Sequence, residues 1–528
     1  MALKRTINKF ALLTAAIGGI IGSGWLFGPF YAAKIAGPAS ILSWAIGGVL
    51  MLFIAYTFAV LTKTLPIVGG TVRFFQITYG HFVGFTFSWI AWLAWVAVTP
   101  IETLALLQYA ANYLPFLMKT VNNTQELSLY GFGVAIILMF IIYVMNVKGL
   151  KFLTKSNYFI VFLKIAVPIA TVIILFYSKF KFSNFYQIGG FAPMGIKNIF
   201  SALPIAGVIY SFIGYNPAIQ LAAEVKNPQK ALPFAIFGSL FICIILYTII
   251  QIAFIGAVDA SYIKNGWENL SFIGDTGPFA GMITALGFTW FVKILYIDAA
   301  ISPYGTALVQ ATATTRLTYA MGQNNYLPTL FMKLNKHHTP TRAMLFNILI
   351  GIIFILPFPS WQKMVGFLVS CLVFGYVVAP LSLMAMRTIH FHKNQKHIFS
   401  KKIEFICLIS FYICNLLIYW TGWSIIKKVA ITFALGYLVL FLLYLIPSTK
   451  KKIKLDLDKG WWAIIYIVGI TSLSYFSSFG DGINKIKFGY DFLAIAIFSI
   501  FIFYLAKIII ANRTKKIEKK LRKQKDTL

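Results

Sequence analysis

The chain has 528 residues, of which 59% are hydrophobic and only 11% are charged, and its formal net charge is +32. Soluble domains contain about 45–50% apolar and about 25% charged residues, so this composition excludes an ordinary soluble protein. The four cysteines lie in apolar segments, and the six histidines lie in loops or at segment ends. Neither set has the spacing of a metal site, so we predict no metal and no cofactor.

Apolar runs recur along the whole chain. About 20 apolar residues in a helix cross a bilayer, and a helix satisfies its own backbone hydrogen bonds inside lipid. The sequence therefore predicts an all-α polytopic membrane protein, with a polar loop over about 313–342 as its longest connection. The fourteen predicted helices lie near residues 10–31, 39–62, 82–114, 129–147, 157–178, 198–222, 233–257, 282–312, 343–358, 363–386, 403–422, 427–446, 460–478 and 489–511.

Basic residues are distributed unevenly over the predicted loops. With the N-terminus and every second loop on one side, that side carries 32 of the 46 lysines and arginines, and the opposite loops carry 11. Positively charged loops stay in the cytoplasm, which predicts a bacterial cytoplasmic (inner) membrane protein with both termini in the cytoplasm. The basic tail KKIEKKLRKQK is predicted to lie at the lipid surface. No aromatic-interleaved basic groove accompanies the charge, so no nucleic-acid partner is predicted.

The first and sixth predicted helices contain residues that interrupt helices, GGIIGSG at 18–24 and SFIGYNP at 211–217. Glycine weakens helix continuity and Pro217 removes a backbone donor, so both helices are predicted to unwind near mid-membrane. Helices one to five and six to ten are odd-numbered sets, so the second set enters the membrane inverted. A matched pair of interrupted helices in inverted halves indicates a transport site. The alternative is that the glycines only allow helices to pack closely.

Four motifs cover the chain from about residue 15 to about residue 350: GGIIGSGWLFGP at 18–29, NVKG at 146–149, SFIGYNPAIQLAAEVKNPQKALPFAI at 211–236 and TTRLTYAMGQNNYLP at 314–328. In this order they resemble the amino acid–polyamine–organocation (APC) superfamily of permeases. The resemblance implies a leucine-transporter-type five-plus-five inverted repeat with about four additional C-terminal transmembrane helices. The predicted division is a cytoplasmic N-terminus 1–9, a ten-helix core 10–386 in repeats 10–178 and 198–386, additional helices 403–511, and a basic cytoplasmic tail 512–528.

A narrower likeness concerns GSGWLFGPFYAAKIAGPASILSW, IDAAISPYGTA and the long aromatic-rich third helix. These segments resemble the bacterial aspartate–proton symporters of the superfamily. The resemblance implies an acidic substrate similar to aspartate or glutamate.

An interrupted first helix exposes backbone N–H groups at a helix N-terminus, where orphan donors and the helix dipole favour a carboxylate. The interrupted sixth helix offers carbonyl groups to an ammonium, and in the resembled family the two patches hold the amino acid backbone. Asn216 stands where the family's arginine–agmatine antiporter has a glutamate facing a cationic substrate, and Tyr210 where it has a gating aromatic. A neutral Asn216 weakens the case for a cationic substrate. The predicted substrate-binding residues are Ile21, Gly22, Ser23, Gly24, Tyr210, Ser211, Phe212, Gly214 and Asn216.

Three ionisable residues inside predicted helices are candidates for proton coupling, because charge inside a membrane is costly and commonly functional. Lys164, in SNYFIVFLKIAVP, matches the fifth-helix lysine of proton-coupled family members, whose ammonium lies next to the first and eighth helices. Glu102 follows Pro100 in the third helix, and Asp298 precedes a predicted break at 302–305 in the eighth. The alternative is structural, with Lys164 locking helices together by pairing with Asp298 or Glu102.

The predicted function is import of an amino acid by proton symport with alternating access. Its partners are the substrate, protons and membrane lipids, while the oligomeric state stays open. Exchange of an amino acid for an amine or another amino acid is the alternative. An enzyme requires convergent catalytic groups and direct ATP drive requires a phosphate-binding loop, and the sequence contains neither; a channel or sensor is less favoured. Lys293 and Lys507 are predicted to extend to the membrane interface.

Overall fold

The computed structural model describes residues 7–67, 70–121, 124–147, 150–220, 222–272, 277–389, 401–445 and 455–526. Its helices confirm the predicted all-α class. The first ten are α1 Lys9–Ile20, α2 Gly24–Ala36, α3 Ser40–Thr64, α4 Gly70–Tyr79, α5 His81–Ala110, α6 Leu129–Val147, α7 Leu150–Lys179, α8 Ile196–Ile205, α9 Asn216–Gln220 and α10 Pro228–Ala257. The others are α11 Ala260–Ile263, α12 Pro278–Ala285, α13 Thr289–Gln323, α14 Thr341–Ile355, α15 Trp361–Tyr376, α16 Val378–Thr388, α17 Lys401–Trp420, α18 Trp423–Leu445, α19 Leu457–Tyr475 and α20 Tyr490–Asp526.

Each of the fourteen predicted segments contains helix, and nine helical stretches of the described chain are long and apolar enough to cross a membrane. The smaller number has physical causes. The first and sixth crossings are split into short pieces, and α14 has only 15 residues. The long helix α13 and the helix α19 are less apolar than the others. The chain is thus a polytopic membrane protein whose interrupted and polar crossings escape a simple test of length and hydropathy.

The first and sixth crossings are both interrupted, as predicted. Between α1 and α2 the chain leaves the helical path over residues 21–23. The sixth crossing ends its first piece with α8 and continues as a short 3-10 helix, Tyr210–Tyr215, before α9. Its interruption begins at Gly207, whose φ of +84° suits glycine. Pro217 lies inside α9, so the break comes earlier along the chain than the sequence predicts.

The two interrupted crossings touch each other at backbone distance. A Cβ atom on Gly214 would lie 2.0 Å from the backbone oxygen of Gly19, and one on Gly24 would lie 2.2 Å from the Ser211 hydroxyl. Neither position has room for a larger side chain, because the first obstacle is backbone and the second is a buried side chain. The glycines therefore permit the close packing of the alternative interpretation, and they do so at the interruptions themselves.

Several connections differ from expectation. The eighth crossing, α13, is continuous from Thr289 to Gln323, so the predicted break at 302–305 is wrong and the helix extends into the predicted loop 313–342. Pro303 lies within α13, with its neighbours packed closely enough to keep the helix intact. An antiparallel hairpin of β1 Met118–Val121 and β2 Thr124–Leu127 follows α5. Local polar sequences of this length carry too weak a periodicity to reveal it.

The C-terminal helices are tied to the core by an ion cluster. Glu404 of α17 pairs with Arg387 of α16 and with Lys507 of α20. The Lys507 side chain is thus ion-paired and Lys293 is exposed on α13, and the extension of both to the membrane interface stays a prediction. The tail continues α20 as helix to Asp526. The predicted cytoplasmic residues 1–6, 390–400 and 446–454 lie outside the described part, and the division of the chain into core and additional helices stays a prediction.

Candidate functional site

The N-terminus of α2 carries a carboxylate from the third crossing. Glu102 of α5 accepts a hydrogen bond of 2.9 Å from the Ser23 backbone N–H through Oε2, and one of 2.6 Å from the Tyr210 hydroxyl through Oε1. Its side chain is only 1% exposed. A Cβ on Gly22 would lie 2.6 Å from Oε1, so the absence of a side chain at that position allows the carboxylate to approach. Helix N-termini favour anions, and Glu102 supplies one.

The C-terminus of α1, at the other side of the same interruption, carries a cation. The Lys164 ammonium of α7 donates hydrogen bonds of 2.7 Å to the Gly18 carbonyl oxygen and to Thr306 Oγ1. The Thr306 hydroxyl also lies within hydrogen-bond distance of the Gly18 and Ile21 carbonyl oxygens, at 3.2 and 3.3 Å. The Tyr247 hydroxyl donates to a further carbonyl of this end, Ile20, at 3.1 Å. Orphan carbonyls of a buried helix end need such partners.

The charges match the half-helix ends that they contact. The negative end of the α1 dipole faces Lys164, and the positive end of the α2 dipole faces Glu102. Lys164 lies between the first and eighth crossings, where the resemblance places the lysine. Neither Glu102 nor Asp298 lies within 4.0 Å of its ammonium among the described ion pairs, so Lys164 forms no direct ion pair with either carboxylate. The direct-pair alternative from the sequence is not what the structure contains.

Asp298 of α13 is the third candidate, and its surroundings differ. The side chain is 2% exposed, and both carboxylate oxygens are buried without a hydrogen-bond partner within the described chain. The indole nitrogen of Trp25, in the first turn of α2, is likewise unpartnered. The Trp25 indole N–H faces this carboxylate from beyond hydrogen-bond distance, and Lys164 is its cationic neighbour. An isolated anion in such a place is costly, so this carboxyl requires a proton or a cationic neighbour.

The predicted residues of the sixth crossing divide into two groups. Tyr210 contacts Glu102, and Ser211 packs against Gly24. Phe212 instead contacts Trp44 and Tyr247, with ring centroids 5.8 and 5.5 Å apart. That contact places Phe212 in an aromatic cluster against α3 and α10.

Asn216 begins α9 and donates a 2.6 Å hydrogen bond to the Tyr376 hydroxyl of α15. Its partners are thus different from those of the Glu102 cluster. The structure brings together Ser23, Glu102, Tyr210, Lys164 and the first-crossing glycines, whereas Asn216 and Phe212 contact other elements.

Trp361 is a site residue that sequence reasoning missed. Its indole N–H donates a 2.8 Å hydrogen bond to the Ser23 hydroxyl, and its ring stacks on Phe27 at 4.9 Å and meets Tyr210 edge-on at 5.9 Å. It is the first residue of α15, and the sequence around it reads as an interfacial aromatic. Thr306 was also missed, although the segment that contains it, ISPYGTA, belonged to the resemblance.

A polytopic helical membrane protein in which two interrupted helices meet around buried charges has the organisation of a secondary transporter. The described residues contain no group of three or more His, Cys, Asp or Glu side chains that could hold a metal ion. The amino acid permease family profile matches residues 7–471, and the chain belongs to this family. Its members are transporters rather than enzymes, in agreement with the resemblance.

Two relatives match nearly the whole chain. The glutamate/serine transporter AimA of Bacillus subtilis is 34% identical over 517 residues, which cover 95% of this chain and 93% of that protein. The aspartate-proton symporter of the same organism is 31% identical over 511 residues, covering 96% of each. The methylthioribose transporter of B. subtilis is 27% identical over 350 residues, which cover 65% of this chain and 72% of that protein. The first two similarities extend through the C-terminal helices, whereas the third covers a shorter region.

Proposed function

We propose that the protein imports an amino acid by proton symport with alternating access, and that the substrate is acidic, similar to aspartate or glutamate. The protein acts in the bacterial cytoplasmic membrane with both termini in the cytoplasm, as the distribution of basic residues favours. The observation that carries the proposal is the interruption between α1 and α2, with Glu102 at one half-helix end and Lys164 at the other.

The amino acid site is proposed at this interruption. The α2 N-terminus already accommodates a carboxylate at the Ser23 N–H, which is the chemistry that an amino acid's α-carboxylate requires. The nearby 3-10 turn that begins at Tyr210 supplies carbonyl groups for the α-ammonium, and Trp361 packs an aromatic surface against Tyr210. Ile21, Gly22, Gly24, Ser211 and Gly214 form the backbone of the two breaks.

Proton coupling is proposed for Lys164, Glu102 and Asp298. Each is at most 2% exposed in the core of a membrane protein, where a change of protonation alters the local electrostatics strongly. Lys164 joins three crossings through Gly18 and Thr306. Loss of its proton would remove the cation from the α1 C-terminus and weaken the contact between α1, α7 and α13, which links protonation to helix movement.

The acidic substrate is supported by two relatives, named a glutamate/serine transporter and an aspartate-proton symporter, that match at least 93% of their length. The neutral Asn216 agrees with this choice, since it offers no carboxylate to a cationic substrate. Serine in the name of one relative shows that a small neutral amino acid belongs in the substrate panel.

The test is uptake of a radiolabelled amino acid panel by purified protein in liposomes, with and without an inward proton gradient. Gradient-stimulated accumulation of aspartate or glutamate is expected. Uptake that ignores the gradient but requires an internal amine or amino acid would mean exchange and would overturn symport.

Lys164→Ala is expected to abolish pH-driven uptake, because the variant removes the titratable group that bridges α1, α7 and α13. Lys293→Ala is the matched control, since Lys293 is exposed on α13 and its loss should leave uptake unchanged. Folded Lys164→Ala protein with the pH dependence of the wild type would contradict the coupling role of this lysine.

A further inference from the structure

The position expected to receive the substrate carboxylate is already occupied by a carboxylate of the same chain. Glu102 holds the Ser23 N–H at 2.9 Å and the Tyr210 hydroxyl at 2.6 Å, and all three residues are at most 5% exposed. The contact is between residues 79 positions apart and joins α5 to the start of α2. It uses the same donor chemistry that a free amino acid would use.

The Glu102 anion and a substrate carboxylate exclude each other at this place. One backbone N–H cannot serve two carboxylates at full strength, and two adjacent anions in a buried site repel each other. Gly22 lies so close that even a methyl group would meet Oε1 at 2.6 Å, which leaves no room for a second carboxylate beside the first. Substrate entry therefore requires Glu102 to leave the N–H.

Apart from its hydrogen-bond donors, Glu102 has mostly apolar neighbours. It borders a packed contact between α5, α6 and α13 that has no room for a water molecule, so a turning Glu102 must displace a neighbouring side chain. The other residues of this contact are mostly apolar, namely Thr103, Leu106, Leu138, Ile142, Tyr304 and Ala307. An uncharged carboxylic acid can turn toward such surroundings at modest cost, whereas a carboxylate cannot. Pro100 lies two residues before Glu102 in α5 and removes one helical hydrogen bond there.

We propose that Glu102 is a tethered substitute for the substrate carboxylate, and that it takes up one proton when the substrate displaces it from the α2 N-terminus. The step balances: a proton from the outer solution adds to the Glu102 carboxylate, and the substrate carboxylate accepts the freed Ser23 N–H. After the substrate leaves to the cytoplasm, Glu102 gives up the proton on that side and returns to the N–H. The inference rests on the proposed amino acid symport and names the residue that exchanges proton for substrate.

The charged and titratable groups around Glu102 fit this exchange. Tyr210 faces it from the sixth crossing, Lys164 from α7 and Tyr247 from α10. From α13, Thr306 faces Gly22, and Asp298 faces Lys164 rather than Glu102. Lys164 therefore supports the Glu102 anion when no substrate is bound, and a substrate carboxylate at the same N–H inherits that support.

The experiment uses the full-length purified protein and measures binding of L-aspartate, L-glutamate and L-serine, together with proton uptake from a weakly buffered solution containing a pH indicator. Glu102→Gln keeps the shape of the side chain but gives only a neutral acceptor to the Ser23 N–H. Because hydrogen bonds to charged groups are stronger than neutral ones by roughly a factor of two, we expect about tenfold tighter substrate binding, no pH dependence and no proton uptake. Tyr210→Phe removes one of the two donors that hold Glu102 and should tighten binding several-fold.

Thr171→Val is the control, since the hydroxyl of this buried α7 residue donates to the Val167 carbonyl of its own helix, and it should bind as the wild type does. Glu102→Gln protein that binds substrate more weakly while retaining proton uptake would overturn the inference and leave proton symport through Lys164 standing. If no member of the panel binds to the wild type, the proposed function itself fails and the inference fails with it. Should Glu102→Gln not fold, weaker binding by Tyr210→Phe would count against the inference.

Discussion

Replacing Gly22 by alanine tests whether the contact between Glu102 and the α1–α2 interruption is as close as the structure indicates. The new methyl carbon would lie 2.6 Å from Glu102 Oε1 and 2.9 Å from Thr306 Oγ1. Ordinary van der Waals contact begins near 3.4 Å, so the carboxylate oxygen would have to retreat by about 0.8 Å. Glu102 Oε1 already accepts a hydrogen bond from Tyr210, and Thr306 Oγ1 already accepts one from Lys164. Neither oxygen can move without weakening that bond.

The expected loss of stability follows from the contacts that the new methyl group would disturb. A retreat of that size stretches the Tyr210 hydrogen bond beyond normal geometry, and a hydrogen bond to a charged group is worth about 1.5–3 kcal/mol. Forcing extra volume into a packed core costs a similar amount, about 1–3 kcal/mol, and the two figures describe one event, so they are not added. Loss of glycine's freedom in the unfolded chain returns up to about 1 kcal/mol. We therefore expect Gly22→Ala to destabilise the fold by about 1–2 kcal/mol.

The assay compares thermal unfolding of detergent-purified variants and their uptake in liposomes. Gly133→Ala is the control, because Gly133 lies in α6 and a Cβ there meets nothing within 4 Å. In a helix interior alanine is favoured over glycine by about 0.5–1 kcal/mol, so this variant should be slightly stabilised and fully active. Gly22→Ala protein that unfolds like the wild type and transports at the same rate would refute the close contact.

Thr306→Val removes the hydroxyl that accepts a hydrogen bond from Lys164. Transport assays should show slower uptake, and thermal unfolding should show a loss of about 1–3 kcal/mol of stability. An unchanged pH profile of uptake would show that this hydroxyl has no part in coupling. Glu404→Gln leaves two cations without their shared anionic partner. It should lower the free energy of unfolding by about 1–3 kcal/mol and leave substrate affinity at the wild-type value. A loss of substrate affinity as large as the loss of stability would contradict a purely structural role. Asp259 caps α11, and hydrogen bonds from the Ser261 backbone N–H and hydroxyl hold the pKa of its carboxyl below the ordinary value. A carboxyl group with a lowered pKa stabilises the fold at pH values above its unfolded-state pKa of about 4. This contribution of about 1 kcal/mol or less should disappear as pH falls below about 4. Asp259→Asn should therefore reduce the pH dependence of the free energy of unfolding.

The interruptions were predictable because their signals are local. Glycine at 22 and 24 and the glycine-containing segment at 211–217 weaken helix continuity wherever they occur. The three buried ionisable residues were also identifiable, since charge inside an apolar run is conspicuous. The break in the eighth crossing was wrongly predicted from Pro303, because α13 is a continuous helix that packs against neighbouring helices on both sides of this residue. Tertiary packing overrides a local breaker in a way that a single sequence does not reveal.

The partners of those ionisable residues could not be predicted. Rotation about a helix axis fixes which face a side chain occupies, but not how far the neighbouring helix lies from it. The alternative interpretation of the sequence paired Lys164 with a carboxylate, whereas the structure pairs it with a carbonyl and a hydroxyl. Trp361 escaped notice because an aromatic at the start of a transmembrane helix is usually an interfacial anchor, and only its contact with Ser23 distinguishes it.

An interrupted transmembrane helix creates two buried ends whose unpaired groups need opposite charges, and this requirement explains why Lys164 and Glu102 occur together. A permanent partner at both ends would make the break stable but unable to bind anything. Lys164 contacts α1 through a backbone carbonyl that no amino acid must displace, whereas Glu102 occupies the N–H that a carboxylate ligand needs. The cation end can thus keep its partner while substrate binds and change only when Lys164 loses its proton, while the anion end is open to exchange with the substrate. The substrate therefore competes with Glu102 at the N-terminus of α2, whereas protonation of Lys164 controls the contacts at the C-terminus of α1.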